Sequence, residues 1–302
     1  MSAPARTLRA RERTLRLGGR PWLMGIVNAT PDSFSDAREL PNLEARVARA
    51  HALAAAGAAV VDVGGASAAG GLEPVAATEE AERVVPLIAR LAAELPGVVL
   101  SVDTWRPAVA EPAIAAGAHL VNDVSGLRDP ALATLCADTG AALVLMHTRV
   151  EPRGTLLDPG FYPDVVADVH DFLAERIALA GAAGVSAEQL LLDPGPDFAK
   201  TPAQTVAVLR RLDVVHALGR PLLLAVSRKD FLGAVTRRPA RERGAATLAA
   251  VAAGSDAGAH VLRLHDVRAA ADFLAVRAVL RGDRELAPDE GLTPDRFPDA
   301  AR

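Results

Sequence analysis

The sequence predicts a single-domain α/β protein with the TIM, or (β/α)8, barrel architecture. Short apolar runs recur along the chain, each ends in a polar residue, and a stretch with helical composition follows each run. Aromatic residues are only 3% of the 302 residues, while Ala, Val and Leu are abundant, as expected for a parallel sheet covered by closely packed helices. Because no unit carries the Gly-rich dinucleotide fingerprint, a closed barrel is favoured over an open doubly wound sheet.

Eight apolar runs are the predicted strands of this barrel. In chain order they are residues 22–28, 59–62, 98–103, 119–123, 142–147, 190–193, 222–227 and 261–265. The segments between them are long enough for crossover helices, and several end in a glycine suited to a helix C-terminus. These glycines are Gly57, Gly117, Gly140, Gly184, Gly219 and Gly258. We assign residues 21–282 to the barrel.

The two ends of the chain lie outside the predicted barrel. We expect residues 1–20 to be an N-terminal extension that covers the bottom of the barrel, with a hairpin over residues 15–20 that turns at Gly18 and Gly19. Residues 283–302 are rich in Asp, Pro and Arg, a composition typical of a disordered tail.

Charge and cysteine content exclude several classes of function. The formal net charge is −4, so the chain has no overall attraction for nucleic acid or anionic lipid, and local groups must hold any phosphate ligand. A single cysteine, Cys136, can form neither an internal disulfide nor a thiolate metal cluster, and no apolar run is long enough to span a membrane. We therefore expect a cytoplasmic protein that binds a small molecule, with neither nucleic acid nor membrane as a partner.

Polar residues stand at the carboxyl ends of the predicted strands, where a barrel places its functional mouth. They are Asn28, Asp62, Asp103, Asn122, Asp123, His147, Asp193, Ser227, Lys229, Arg263 and His265. A single strand-end Asp or Asn caps the next helix more often than it binds a ligand, and His119 and His216 keep such a structural interpretation. Eight strands that all end in polar groups favour a polar ligand.

Two subsets of these residues indicate the chemistry of the ligand. Carboxylates and an amide at Asp103, Asn122 and Asp193 can pair with a flat heterocycle that carries adjacent donors and acceptors, while Lys229 faces a ring carbonyl. A second subset is suited to binding phosphate.

Arg263 and His265 are two residues apart on one strand, so both side chains point to the same face and can bind phosphate together. Asn28 can hold a Mg²⁺ ion that bridges phosphate oxygens, because this ion prefers oxygen ligands and keeps several waters. The strand ends therefore predict a barrel that binds a heterocycle attached to a pyrophosphate.

A series of short motifs gives the chain a resemblance to a known family. They occupy residues 24–36 (MGIVNATPDSFSD), 61–65 (VDVGG), 101–104 (SVDT), 121–123 (VND), 145–147 (LMH), 192–195 (LDPG), 227–229 (SRK) and 263–266 (RLHD). In this order the chain resembles dihydropteroate synthase across residues 14–280. The resemblance implies an enzyme of folate biosynthesis that joins 6-hydroxymethyl-7,8-dihydropterin pyrophosphate to p-aminobenzoate and releases pyrophosphate, with Mg²⁺ as cofactor and a homodimeric assembly.

The resemblance also implies a role for each matched residue. Binding of the pterin is implied for Asp103, Asn122, Met146, Asp193 and Lys229. Binding of pyrophosphate is implied for Asn28, Arg263 and His265, with Asn28 as the metal ligand. Catalytic roles are implied for Asp36, Lys229, Arg263 and His265. Contact with the acceptor is implied for Ser67, Phe198, Ser227 and Asp230.

The implied reaction needs no strong general base. Pyrophosphate leaves readily once Mg²⁺, Arg263 and His265 neutralise its growing charge. Its departure leaves an electron-poor pterin methylene, and we expect Asp36 and Asp193 to stabilise this cation on a dissociative path. The arylamine acceptor is already a neutral nucleophile at pH 7.

The acceptor side departs from the family pattern. The family has Glu-Ser-Thr-Arg-Pro-Gly after the paired glycines, whereas residues 66–70 read Ala-Ser-Ala-Ala-Gly, so both Thr and Arg are replaced, by Ala68 and Ala69. A Ser after the family's Lys is Asp230 here, and this carboxylate would repel p-aminobenzoate unless its side chain turns away. The first loop has Ala37 and Arg38 in place of two glycines, and Arg38 is a candidate for the missing cation.

Two alternatives stay open at this point. One is a divergent paralogue, like some actinobacterial second copies with the same altered loop, that is inactive or uses another amine acceptor. The other is a non-catalytic pterin-binding protein or the pterin domain of a methyltransferase, which would not need the pair of Arg263 and His265.

Overall fold

The computed structural model describes residues 3–29, 42–66, 75–152, 154–287 and 290–291. Its strands are β1 (Ala3–Ala10), β2 (Arg13–Gly19), β3 (Trp22–Asn28), β4 (Ala58–Gly64), β5 (Val99–Asp103), β6 (Leu120–Asp123), β7 (Ala142–Met146), β8 (Leu190–Asp193), β9 (Leu223–Leu224) and β10 (Val261–Leu264). Its helices are α1 (Leu43–Ala55), α2 (Ala77–Glu94), α3 (Pro107–Ala115), α4 (Ala131–Thr139), α5 (Val165–Ala182), α6 (Pro202–Leu209), α7 (Asp213–His216), α8 (Asp230–Thr236), α9 (Gly244–Asp256) and α10 (Val267–Leu280).

Eight parallel strands form the predicted barrel. They lie in the order β8-β7-β6-β5-β4-β3-β10-β9, so each predicted strand is present. The two ends of this sheet meet where Leu192 bridges Leu222 and donates its N–H to the Pro221 carbonyl at 2.9 Å. The six glycines predicted at helix ends all have positive φ, between 73° and 120°. Strand β9 is shorter than the predicted run 222–227, because the chain turns at residues 227–228, where Arg228 has φ 60°.

Two buried histidines replace backbone acceptors at the amino ends of the strands. His119 Nδ1 accepts the Leu100 N–H at 3.1 Å, and His260 Nδ1 accepts the Leu222 N–H at 3.0 Å. Each bond joins neighbouring strands, and each requires an unprotonated Nδ1. The structural interpretation of His119 is therefore confirmed.

Side chains alternate between the barrel interior and the layer beneath the helices. Val60, Val99 and Leu120 belong to the interior cluster, whereas the next residues along each strand, such as Val61 and Leu100, pack under the helices. Because this alternation has a period of two, it also decides which strand-end side chains face the mouth.

An antiparallel hairpin of β1 and β2 covers the amino end of the barrel. Leu8, Ala10, Leu15 and Leu17 are buried in the same cluster as the interior residues of the barrel strands. The hairpin is longer than predicted, since its strands pair from Ala3 with Gly19 to Ala10 with Arg13.

The predicted turn at Gly18 and Gly19 is wrong, because the chain turns at Arg11 and Glu12. Arg11 has φ 59°, a region in which glycine is usual, and contacts outside the hairpin stabilise it. Its N–H donates to the Gly140 carbonyl at 2.7 Å, and its guanidinium donates to the Ile114 and Ala118 carbonyls. The two glycines instead end β2.

Several predicted features lie outside the described residues. Asp36 and Arg38 fall in the undescribed segment 30–41, Ser67, Ala68 and Ala69 fall in 67–74, and most of the predicted tail follows residue 287. In the helices that the structure describes, none has both the length and the apolar character needed to cross a membrane.

Candidate active site

Strand register places several predicted site residues side by side at the carboxyl end of the barrel. Asn28 pairs with Gly64, Gly64 with Asp103, and Asp103 with Asn122. A Cβ at position 64 would lie 3.5 Å from the Asp103 Cβ, so the glycine leaves the space between Asn28 and Asp103 open. These side chains share the interior face of the barrel.

Arg263 lies between two carboxylates at the centre of the mouth. Its Nε donates to Asp62 at 2.6 Å, and its Nη2 donates to Asp103 at 2.5 Å. Asp62 is fully buried and also accepts from Ser101 Oγ at 2.5 Å and from Asn122 Nδ2 at 3.1 Å. Asp62 therefore orients both the Arg263 guanidinium and the Asn122 amide. This role was not predicted, although Asp62 ends a predicted strand and the alternation of side chains places it on the interior face.

One guanidinium between two carboxylates leaves a net negative charge in this cluster. Burial raises the pKa of Asp103 to about 7; Arg263 opposes this rise, while the nearby Asp62 carboxylate adds to it. Burial disfavours the charged form of Arg263, but the two carboxylates outweigh it and hold its pKa above the ordinary value. When Asp103 is ionised, the cluster therefore has one negative charge available for a ligand that donates hydrogen bonds.

Asp193 and Lys229 complete the predicted pterin set. Asp193 is 3% exposed, its Oδ1 accepts the Gly195 N–H at 2.8 Å, and it pairs in register with the buried Met146. Burial raises the pKa of Asp193 and lowers the pKa of Lys229. The opposite charge of each residue opposes these shifts, so the two charged forms stabilise each other. The Lys229 ammonium lies 4.4 Å from the centre of the Phe198 ring, a cation–π contact.

His265 and Ser227 lie together on the other side of the mouth. His265 Nδ1 and Ser227 Oγ are 2.9 Å apart, and the His265 N–H donates to the same hydroxyl at 3.3 Å. Arg263 and His265 share the interior face, as predicted, but Arg263 pairs with the pterin-side carboxylates in this structure.

The Asp230 carboxylate is exposed and paired with an arginine. Its side chain is 85% exposed, and Oδ1 accepts from Arg243 Nη1 at 2.9 Å. The same Nη1 donates to the Arg228 and Lys229 carbonyls at 2.8 and 2.9 Å. Arg243 therefore neutralises Asp230 and holds the turn that carries Lys229.

The N–H groups of the same turn are paired with a second carboxylate. Asp197 Oδ2 accepts the Asp230 N–H at 2.5 Å and the Phe231 N–H at 3.4 Å. Its other oxygen accepts from Thr205 Oγ1 at 3.1 Å. The loop after β8 is therefore connected to the start of α8.

Two arginines anchor the described ends of the altered second loop. Arg83 donates to the Gly65 carbonyl at 2.9 Å, and Arg106 donates to the Val75 carbonyl at 2.7 Å. Arg106 also pairs at 2.8 Å with Glu80, whose pKa is raised by its complete burial. Cations therefore lie at both ends of this loop although its own sequence has none.

Two strand-end residues of the predicted polar set do not face the mouth. Asp123 accepts the N–H groups of Ser125 and Leu127 at 2.7 and 2.6 Å, so it stabilises its own turn. His147 lies outside the barrel wall, where it contacts Asp168. Both residues have the parity of the helix-facing layer, which their spacing from interior residues could have revealed.

In the described part of the chain, protein side chains alone do not form a metal site. No group of three or more His, Cys, Asp or Glu side chains is placed there to hold a metal ion. Asn28 offers an amide oxygen at the mouth, and this fits Mg²⁺ if the ion takes its other ligands from water and phosphate oxygens.

The chain is similar to several known proteins. The family model described as "Pterin binding enzyme" matches residues 24–265. The dihydropteroate synthase of Bacillus subtilis is 40% identical over 247 residues, which is 82% of this chain and 84% of that protein. A solved structure of the Xanthomonas albilineans enzyme with 4-aminobenzoic acid is 42% identical, with a TM-score of 0.84 over 92% of this chain and 99% of that chain. A second structure of that enzyme, in complex with 7,8-dihydropteroate, has a TM-score of 0.79, 42% identity and coverage of 90% of this chain and 98% of that chain.

Proposed function

Because the chain belongs to the pterin-binding enzyme family, we propose that it is a dihydropteroate synthase, which joins 6-hydroxymethyl-7,8-dihydropterin pyrophosphate to p-aminobenzoate and releases pyrophosphate. The observation that carries this proposal is the cluster of Asp103, Asn122, Asp193 and Lys229 on the interior face of the barrel mouth. Relatives with this activity cover most of the chain, including one solved with 4-aminobenzoic acid.

The mouth fits the hydrogen-bonding edge of a pterin. A 2-amino-4-oxo ring presents several N–H donors and one carbonyl, and buried carboxylates at Asp103 and Asp193 accept from such donors. Asn122 can both donate and accept, and Lys229 donates to the carbonyl. A carboxylate that pairs with the ring in place of Arg263 would release the guanidinium toward the phosphate side.

The pyrophosphate belongs beside His265 and Asn28. Asn28 ends β3, His265 directly follows β10, and the adjacent Arg263 guanidinium adds a fixed positive charge. Mg²⁺, held by Asn28, would neutralise charge on the leaving oxygens. Asn28, Arg263 and His265 orient the leaving group, and this electrostatic help lowers the barrier to breaking the C–O bond.

The acceptor amine then forms the new C–N bond at the pterin methylene and loses one proton to water. Phe198 and Lys229 line the side from which it approaches. The Asp230 carboxylate is exposed and paired with Arg243, which weakens its repulsion of a carboxylate-bearing acceptor. The presence of Asp230 is therefore compatible with p-aminobenzoate as the acceptor.

Two further properties stay proposals from the family resemblance. We expect a homodimer and a cytoplasmic location. Light scattering of the purified protein tests the first, and fractionation of the source cells tests the second.

The decisive experiment measures pyrophosphate release from the pterin substrate with and without p-aminobenzoate. We expect release that depends on both p-aminobenzoate and Mg²⁺ and that produces dihydropteroate. Asp193→Asn should abolish most of it, while Asp213→Asn, at an exposed site far from the mouth, should not. Pterin binding without release would identify an inactive paralogue, and release with another amine alone would identify a different acceptor.

A further inference from the structure

Lys200 is a buried cation enclosed by the loop between β8 and α6. Its side chain is 1% exposed, and its Nζ lies 3.0 Å from both the Gly195 and the Phe198 carbonyl oxygens. A third acceptor, His147 Nδ1, lies at 2.7 Å. The three donors of an ammonium group therefore have three close acceptors.

The state of His147 follows from its other ring nitrogen. Nε2 lies 2.8 Å from Asp168 Oδ2, and a carboxylate only accepts, so Nε2 carries the hydrogen and Nδ1 accepts from Lys200. Asp168 in turn accepts two hydrogen bonds from Arg149, at 3.0 and 2.6 Å. This row of contacts fixes Lys200 to α5 on the outer side of the barrel wall.

The loop is folded tightly around the ammonium. Gly195, Asp197 and Ala199 have φ of 66°, 65° and 51°, and such a conformation costs a non-glycine residue about 1 kcal/mol or more. A Cβ at position 195 would lie 2.1 Å from the His147 carbonyl oxygen, so the loop passes directly against the end of β7. Lys200 and the Tyr162 hydroxyl, which donates to the Ala199 carbonyl at 2.8 Å, compensate this strain.

The same turn carries two groups of the active site. The Gly195 N–H donates to Asp193 at 2.8 Å, and the Phe198 ring lies 4.4 Å from the Lys229 ammonium. A change in the turn from residue 195 to residue 198 would therefore alter the pairing of Asp193 and the position of the Phe198 ring.

Charged and titratable groups face Lys200 from every neighbouring element. They are His147 at the end of β7, Asp168 on α5, Asp193 on β8, Asp197 in the loop itself and Lys229 after β9. Burial is the largest influence and lowers the pKa of Lys200 to about 7, although the carboxylates oppose this shift. The ammonium is therefore present below neutral pH and is lost as the pH rises.

We propose that Lys200 is a positioning residue of the pterin site, whose ammonium holds the turn from Gly195 to Phe198 in the form that presents Asp193 to the pterin and places the Phe198 ring against Lys229. This inference rests on the proposed function, because the pterin is the ligand whose binding the turn controls. Only two of the 33 lysines and arginines in the sequence are lysines, Lys200 in the loop after β8 and Lys229 in the turn after β9.

The scarcity of lysine makes a direct test practical. Protein labelled with ¹³C at the lysine Cε should give two side-chain signals, and Lys200→Met identifies one of them. We expect the Lys200 signal to titrate near pH 7 and the Phe198 ring resonances to shift with the same midpoint. This part of the experiment needs no substrate.

Calorimetry with the pterin pyrophosphate and Mg²⁺ then measures the consequence for binding. Above the midpoint the wild-type affinity should fall by up to about tenfold per pH unit, because one proton is needed on Lys200. Lys200→Met should bind at least about tenfold more weakly at pH 6.5 and should lose this fall. The loss of affinity below pH 7 that Asp103 causes should remain in both proteins.

Tyr162→Phe is the matched control, because it removes a neutral hydrogen bond from the same loop and should keep the fall above the midpoint. If Lys200→Met also keeps that fall, the titration belongs to Lys229 and the inference is wrong. Equal, pH-independent losses in the two variants would likewise show a merely structural role. If the wild type bound no pterin pyrophosphate while Lys200 and Phe198 still titrated together, the proposed function would fail instead, together with the assignment of the pterin as ligand.

Discussion

The Asp62 carboxylate shows how one buried residue can organise a binding site that it need not touch. It accepts from Ser101, Asn122 and Arg263, so three side chains of three different strands share one acceptor. A buried charge left without its partner is costly, and each member of the cluster therefore depends on the others. The orientation of the side chains at the mouth therefore depends on a carboxylate in the barrel wall as well as on the loops above the wall.

Asp103→Asn should lower kcat/KM for the pterin by about 10- to 100-fold, because a charged hydrogen-bond acceptor is lost. In the wild type, kcat/KM should fall as the pH drops through about 7, since burial raises the pKa of Asp103 to that value and protonation removes the acceptor. The variant should lack this dependence. Steady-state kinetics from pH 5.5 to 8 test it, and an unchanged acid limb in the variant would contradict the assignment.

Ionisation of Asp103 favours binding of the pterin but lowers the stability of the folded protein. Its pKa is raised in the folded protein, so its contribution to stability is present below pH 4 and is lost as the pH rises through 7. The free energy of unfolding of Asp103→Asn should therefore increase relative to the wild type between pH 4 and pH 7. Urea titrations at both pH values measure this difference.

Asp230→Ser should change the KM for p-aminobenzoate by less than about fivefold, because an exposed ion pair is worth at most about 1 kcal/mol. Arg243→Ala should have the larger effect, since it also removes two hydrogen bonds to the turn that carries Lys229. Steady-state kinetics at saturating pterin substrate measure the KM for p-aminobenzoate in both variants. A KM that falls tenfold in Asp230→Ser would show that the carboxylate does repel the acceptor.

At the scale of elements, the β1–β2 hairpin fills the end of the barrel that the mouth leaves untouched. Its apolar residues alternate with exposed ones, so one face enters the interior cluster and the other meets solvent. The hairpin is thus a part of the barrel core that comes from outside the eight repeated units.

Leu17→Ala should lower the free energy of unfolding by about 2–5 kcal/mol, because Leu17 is buried and its truncation leaves a cavity. Thr7→Ala is the control, since Thr7 lies on the exposed face of the partner strand and should change stability by about 0.5 kcal/mol or less. Urea unfolding of both variants provides the measurement. Equal effects would mean that the hairpin does not support the core.

The strands were predictable because each apolar run ends in a polar residue, and runs 22–28 and 190–193 match β3 and β8 residue for residue. The hairpin turn was not, because Arg11 adopts positive φ through contacts with residues more than 100 positions away. Lys200 was missed for a similar reason, since two of its three acceptors are backbone carbonyls, which no side-chain motif marks, and the third, His147, lies 53 positions away in the chain. Local pattern reveals elements and their faces, but not partners that are distant in the chain.

For the whole molecule, buried histidines connect folding to pH. Burial lowers the pKa of His147 to about 4. Between pH 6.5 and pH 4, this histidine is therefore protonated in the unfolded chain but not in the native protein. The contribution of His147 to stability is therefore complete above pH 6.5 and is lost as the pH drops toward 4, by up to about 3 kcal/mol. His147→Gln should reduce the pH slope of the unfolding free energy by about one proton, as measured by urea unfolding from pH 4.5 to 7. An unchanged slope would indicate that His147 is already charged in the native state.

The strict alternation along the barrel strands has a consequence for how this fold can change during evolution. Inserting one residue within β5 would exchange Asp103 for a neighbouring valine on the interior face and send the carboxylate beneath the helices. Core packing and the binding site would be disrupted in the same event, so a change of strand length would be selected against on two grounds. An insertion in a connection between strands would leave this alternation unchanged.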